Sequence, residues 1–237
     1  MCYHYSISAS KKELEQRMNA ELEDGNGYDP LYHVSCFTNP APHLPVVTNE
    51  TPDKIQLMRW GLIPFWSKEE KLKFNTANAK SEDIDKKPTW RGPVKSKRCL
   101  VPSDGFYEWR HIGKDKYPYR ISVRGSSIFT LAGIWDTWTS RETGEIINSF
   151  SIITTEANPL MAQIHNSKKR MPVIFHPETE KLWLDTSVPL KESLKLLQQF
   201  PETEMGAHTI RKDFFRLGGR DKIIADKQEY ADLPPLN

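Results

Sequence analysis

Short apolar runs broken by proline and glycine, with no repeat and no stretch long enough to be a linker, confine this 237-residue chain to one domain built on small strands. Strand-like runs fall at 44–48, 54–60, 99–102, 119–123, 128–138, 149–155, 173–175 and 208–211. The pair at 119–123 and 128–138 reads as a meander joined through Gly125-Ser126. Ser10-Lys11-Lys12-Glu13 is a capping box, and Leu14, Met18 and Leu22 repeat every four residues behind it. That spacing predicts a helix running to a stop at Gly25-Asn26-Gly27. Asn158-Pro159 opens a second helix, with a capping side chain followed by proline at the first helical position. Further helices are expected over 177–184 and around Leu190, Leu194 and Leu197. The tail at Pro234-Pro235 is expected to fray.

Hydrophobic residues at 38% and charged residues at 27% suit a soluble globular protein, and no apolar run approaches the roughly 20 residues of a membrane span. Lys11, Lys12 and Glu13 arrive too early for a secretory signal. Cys2, Cys36 and Cys99 lie far apart, without metal-type spacing, which points to a reduced, cytoplasmic protein. The net charge of +2 leaves the partner open.

The chemistry-bearing stretches divide between two readings each. Removal of Met1 would give Cys2 a thiol and a free α-amine on adjacent carbons, with ordinary pKa values of about 8.5 and about 8. Such a pair can attack one aldehyde twice, by Schiff base and then by thiazolidine closure; a cysteine at position two is otherwise a small hydrophobe. Trp60-Gly61-Leu62-Ile63-Pro64-Phe65-Trp66 is either a core-lining loop or a platform for stacking bases. Asp104-Gly105-Phe106-Tyr107-Glu108-Trp109 sets two carboxylates among three aromatics. Either could have a raised pKa and act as a general acid, or be satisfied by amides or an arginine. His165 ends a short helix beside Lys168, Lys169 and Arg170, which suits an imidazole near phosphate or an ordinary exposed helix end. His4, His33, His43, His111, His176 and His208 gain no role from their local sequence.

In order along the chain, Met1-Cys2, Trp60-Gly61-Leu62-Ile63-Pro64, Asn78-Ala79-Lys80-Ser81-Glu82, Arg98-Cys99-Leu100-Val101-Pro102, Asp104 to Trp109, Ile152-Ile153-Thr154-Thr155, Ile164-His165-Asn166 and Arg170-Met171-Pro172 resemble the SOS response-associated peptidase (SRAP) family. The resemblance runs from Met1 to about Leu184 and faintly on to His208, the motif-bearing part reaching about residue 211. It implies a single α+β domain with a mixed, mostly antiparallel barrel-like β core and flanking helices, and a protein that shields abasic sites in single-stranded DNA by covalent crosslinking during the SOS response. By the same resemblance Cys2 is the nucleophile, Asn78 holds the terminal residue and the sugar, and Glu108 and His165 move protons. Lys80 and Arg170 meet phosphates, Thr154 adds a hydrogen bond, and Trp66 props the unstacked strand. His4, Lys168 and Lys169 complete the DNA-binding group. A monomer without metal, cofactor or membrane contact is implied, with minor lyase and self-processing peptidase activity. Tyr3-His4 stands where the family usually has Gly-Arg, Lys80 where arginine is common, and Ser167-Lys168-Lys169 is inserted. The rival classes are an N-terminal-nucleophile amidohydrolase, in which the same cysteine attacks an amide, and a non-catalytic single-stranded DNA module.

Overall fold

The computed structural model describes residues 2–23 and 27–236. Strand β1 (His4–Ile7) leads into helix α1 (Lys11–Met18), which starts on the expected capping box. Glu13 N–H donates to Ser10 Oγ at 3.3 Å, and Ser10 N–H donates to Glu13 Oε2 at 2.8 Å. The helix ends a turn sooner than the leucine spacing predicts. Asn19 takes a left-handed conformation (φ 49°), which asparagine tolerates, and Leu22 falls on strand β2 (Glu21–Leu22). Its burial comes from pairing beside Ile55, so helical spacing and strand burial coincide at one residue. Of the predicted stop, Gly25 and Asn26 lie outside the described residues.

The chain continues through β3 (Leu31–Ser35), β4 (His43–Thr48), β5 (Lys54–Trp60), β6 (Asn78–Lys80), α2 (Pro93–Ser96), β7 (Arg98–Ser103), β8 (Gly105–Ile112) and β9 (Asp115–Val123). It then forms β10 (Phe129–Thr139), β11 (Ile146–Glu156), α3 (Pro159–Ile164), β12 (Arg170–Pro172), β13 (Ile174–Phe175), α4 (Pro177–Leu184), α5 (Leu190–Leu194) and β14 (Met205–Thr209). Five of these strands close on themselves in the order β4-β7-β10-β11-β5, with β5 returning to β4. Every pairing in that ring is antiparallel except β11 with β5, which is parallel and seals it. A second sheet, β14-β9-β8-β1-β3, packs its own apolar residues into the same core. The fold is therefore the expected mixed α+β arrangement with a barrel-like β core.

The expected meander does not form. β9 pairs with β8 and β14, whereas β10 pairs with β7, β11 and β13, so Gly125 (φ 71°) carries the chain from one sheet to the other. Nor does the tail fray. Tyr230 OH donates to Ile210 O (2.8 Å), the Tyr117 hydroxyl meets Asp232, and Arg110 Nη1 donates to Pro234 O at 2.6 Å. Side chains of β8 and β9 thus tie down a segment whose own sequence gives it no structure. Among the described residues no helix is long and apolar enough to cross a membrane.

Gly133 marks the tightest point of the barrel, because a Cβ built there would sit 2.7 Å from Cys99 Sγ and 3.3 Å from Ser151 O. Gly133→Ala should lower stability by roughly 1–3 kcal/mol through overpacking. Adding Cys99→Ala should recover part of that loss. A double-mutant cycle in urea measures this coupling, and strict additivity would show that the crowding is not at Cys99.

Candidate active site

Strand β11 assembles the site through its neighbours. β6 lies parallel to it, with Asn78 opposite Ile152, and this register turns the Asn78 amide toward the start of the chain. Asn78 Nδ2 donates to Cys2 O at 2.9 Å. Asn78 is buried, and its Oδ1 has no hydrogen-bond partner among the described residues. Asn75, the other asparagine in that stretch, is exposed and closes a local turn by accepting from Ala77 N at 2.8 Å. Cys2 is fully buried, with its thiol 3.7 Å from His4 O. Burial first, and then the nearby Glu108 charge, push that thiol well above the usual cysteine range.

On the other side of β11, β12 supplies the Arg170 carbonyl, which fixes His165. Helix α3 starts on Asn158, whose Oδ1 accepts from Met161 N at 2.8 Å, and ends at His165. The ring Nδ1 lies 2.9 Å from Arg170 O. A carbonyl only accepts, so Nδ1 carries the proton and Nε2 keeps a lone pair. Asn166 holds this turn against β8 by a reciprocal pair, His111 N to Oδ1 (3.0 Å) and Nδ2 to His111 O (2.8 Å).

Strand β8 separates the two carboxylates that the sequence leaves equivalent. Four residues at about 3.3 Å each place them roughly 13 Å apart. Asp104 accepts from Ser8 N–H and Ser8 Oγ (2.5 and 2.6 Å), from the Ser6 hydroxyl and from Arg120 Nη2 (3.3 Å). Its role is to bind β1 to β8. Glu108 is buried, with Oε1 3.5 Å from His165 Nδ1. Loss of solvation raises its pKa from 4.5 to about 8, and the same cause lowers His165 from 6.5 to about 4. At neutral pH this is a contact between a carboxylic acid and a neutral imidazole, not an ion pair.

Glu108 and His165 face a cleft of about 500 Å³ lined also by Tyr3, His4, Trp109, His111, Lys116, Ser167 and Lys168. Its lining mixes the aromatic rings with the cations Lys116, which pairs with His111 across the β8–β9 hairpin, and Lys168, neither of which has an ion-pair partner among the described residues. Among the described residues no group of three or more His, Cys, Asp or Glu side chains is placed to hold a metal ion.

The family model of SOS response associated peptidase (SRAP) matches residues 1–216. The chain belongs to the SRAP family. It is 35% identical over 214 residues to "Abasic site processing protein YoqW" of Bacillus subtilis, covering 89% of this chain and 92% of that protein. It is 36% identical over 177 residues to "Abasic site processing protein HMCES" of Gallus gallus, covering 65% of this chain and 51% of that protein. A crystal structure of a Bacteroides thetaiotaomicron protein superposes with a TM-score of 0.89 at 38% identity, over 96% of this chain and all of that one.

In this SRAP chain the remaining sequence candidates fall in three settings. Lys80, Lys168 and Lys169 are exposed; Lys168 lines the cleft, and Lys169 takes φ 50° in the inserted turn. Trp66 is 45% exposed but does not line the cleft. In the Trp60-to-Trp66 stretch, Trp60 lines the core with Nε1 donating to Ala77 O at 3.1 Å, whereas Phe65 and Trp66 face solvent. Thr154 and Arg170 face each other instead of solvent. Arg170 Nη2 donates to Thr154 O at 2.7 Å, and its guanidinium holds Glu82 Oε1 and Oε2 at 2.5 and 3.0 Å.

His33 gains a position that its sequence does not signal. Its Nε2 lies 3.0 Å from His4 Nδ1 with the rings stacked, and burial lowers both from 6.5 to about 4. His4 is thus a neutral hydrogen-bonding group at pH 7, not a replacement cation.

These four groups set a pH profile. Unfolded, the three histidines bind protons below about 6.5, and Glu108 loses its own above about 4.5; folded, the histidines stay neutral and Glu108 stays protonated to about 8. Between pH 6.5 and 8 the folded state therefore holds the extra proton, and stability falls as pH rises. Below 6.5 the unfolded state gains more protons, and stability falls as pH drops. Stability should peak near pH 6.5, and Glu108→Gln should remove an alkaline decline of about 2 kcal/mol measured by urea unfolding at each pH. An unchanged alkaline limb in that variant would assign the decline elsewhere.

Proposed function

We propose that this chain recognises abasic sites in single-stranded DNA and crosslinks to them through Cys2 after Met1 is removed. Met1 lies outside the described residues, so its removal is part of the proposal. The observation that carries it is the anchoring of Cys2 by Asn78 beside a buried, protonated Glu108 and a neutral His165. That arrangement suits an aldehyde masked as a cyclic hemiacetal. Glu108 donates a proton to the ring oxygen while His165 Nε2 takes the hydroxyl proton, opening the sugar; general catalysis of this kind is worth about 10²–10⁴-fold. The Cys2 amine then adds to C1′ and water leaves, giving a Schiff base. The thiol then adds to the same carbon as the C=N π pair moves to nitrogen and the thiol proton passes to that nitrogen, closing a thiazolidine. Burial keeps that thiol protonated, so the amine attacks first. Asn78 Oδ1 offers an acceptor for the terminal amine.

Closure traps the Schiff base before β-elimination, so strand cleavage by a lyase path is minor. Lys80, Lys168 and Lys169 contact phosphates, which positions DNA without reading its sequence. His4 donates a neutral hydrogen bond, and Trp66 props the unstacked strand. Arg170 and Thr154 act one step back, holding the strand whose carbonyl orients His165. The names of the Bacillus subtilis and Gallus gallus relatives, both abasic site processing proteins, support the substrate.

Incubation with single-stranded DNA bearing one abasic site should give a species stable on a denaturing gel, with intact mass equal to protein plus DNA less one water. Cys2→Ala should give none. Glu108→Gln and His165→Ala should slow formation by at least about tenfold while leaving DNA affinity within a few-fold. An adduct formed equally by Cys2→Ala, or glutamine hydrolysis in the absence of DNA, contradicts the proposal.

A further inference from the structure

One exposed aromatic side chain sits against two residues that line the cleft. Phe37 is 63% exposed, and its ring centroid lies 5.0 Å from that of Tyr3 and 6.3 Å from that of His4, both of which line the cleft. The ring is held in place by its backbone. Cys36 N–H donates to Tyr3 O at 3.1 Å, Phe37 N–H to Ser35 Oγ at 3.2 Å, and Thr38 N–H to Ser35 O at 3.1 Å. The turn after β3 is thereby stitched to residue 3. From Phe37 the aromatic surface continues through His4 to Trp109, whose ring meets His4 edge-on at 5.0 Å. Lys116 and Lys168 stand among the other residues of the same cleft.

Resting on the reading of the cleft as an abasic-site pocket, we propose that Phe37, seated on Tyr3, stacks a nucleobase next to the abasic sugar. The chemistry selects that occupant. A nucleotide without a base leaves its neighbour with one unstacked π face in water, and an exposed ring at the pocket mouth can cover it. The lysines give the connecting phosphates a cationic path, which an apolar peptide or a lipid would not need. Stacking is tolerant of base identity, so Phe37 reads the gap and not the sequence. Trp66, the other exposed ring considered for this role, has no ring contact with a residue lining the cleft, whereas Phe37 meets two of them.

The test compares wild type, Phe37→Leu and Phe37→Trp on two single-stranded oligonucleotides. One carries a single abasic site with 2-aminopurine beside it, on the 5′ or the 3′ side; the other carries three consecutive abasic sites, so the central one has no neighbouring base. Phe37→Leu should weaken binding to the first by roughly 5- to 100-fold and abolish 2-aminopurine quenching on the one side where wild type shows it. Phe37→Trp should retain both. On the second oligonucleotide all three proteins should bind alike. Equal affinity of Phe37→Leu and wild type for the first oligonucleotide, or an equal loss on both, overturns the inference. So does a Phe37-dependent dimer that dissociates when DNA binds. If wild type crosslinks while Phe37→Leu is unchanged, the inference fails alone; if wild type neither binds nor crosslinks, the abasic-site reading fails with it.

Discussion

The backbone hydrogen bonds of β11 hold this molecule together. Residues 146–156 pair with β10 along most of their length, seal the barrel against β5, and carry β6 and β12 at their far end. The last two pairings matter for chemistry. Through β6 the strand sets Asn78 against the Cys2 carbonyl, and through β12 it sets the Arg170 carbonyl against His165. Both contacts run to main-chain oxygens, and strand register sets the Asn78 and Arg170 ends of them. The catalytic geometry thus inherits the rigidity of a closed sheet.

The electrostatics follow from burial. Cys2, Glu108, His165, His4 and His33 are all driven toward their neutral forms by desolvation. A charged carboxylate beside the thiol would oppose thiolate formation and could donate no proton. A neutral one can act as an acid, and a neutral imidazole with Nδ1 committed to Arg170 O can act as a base. In the cleft lining the cations are the exposed Lys116 and Lys168, where water screens the charge and phosphates can reach it.

Much of the fold was legible locally because local chemistry sets it: the Ser10 capping box and the Asn158 cap with Pro159 stand where the sequence puts them. Leu22 misled because its spacing also suits a helix, whereas its burial depends on β5, some thirty residues away. The roles of Asp104 and Glu108 could not be separated from their own stretch, since what distinguishes them is Ser6, Ser8 and Arg120 on one side and His165 on the other. The order of the motifs along the chain, not any one of them, links Cys2, Asn78, Glu108 and His165. His33 was invisible for the same reason: its partner, His4, lies on a neighbouring strand. The tail was misread because residues with no structure of their own are held by Arg110 and Tyr117.

The central claim is that Glu108 is an acid, not an anion, at the pH where the protein works. A ¹³C NMR titration of the Glu108 side-chain carboxyl, assigned by comparison with Glu108→Gln, measures this directly. The account predicts a midpoint near 8. A midpoint near the ordinary 4.5 would leave the cleft with a carboxylate beside Cys2 and no proton to give.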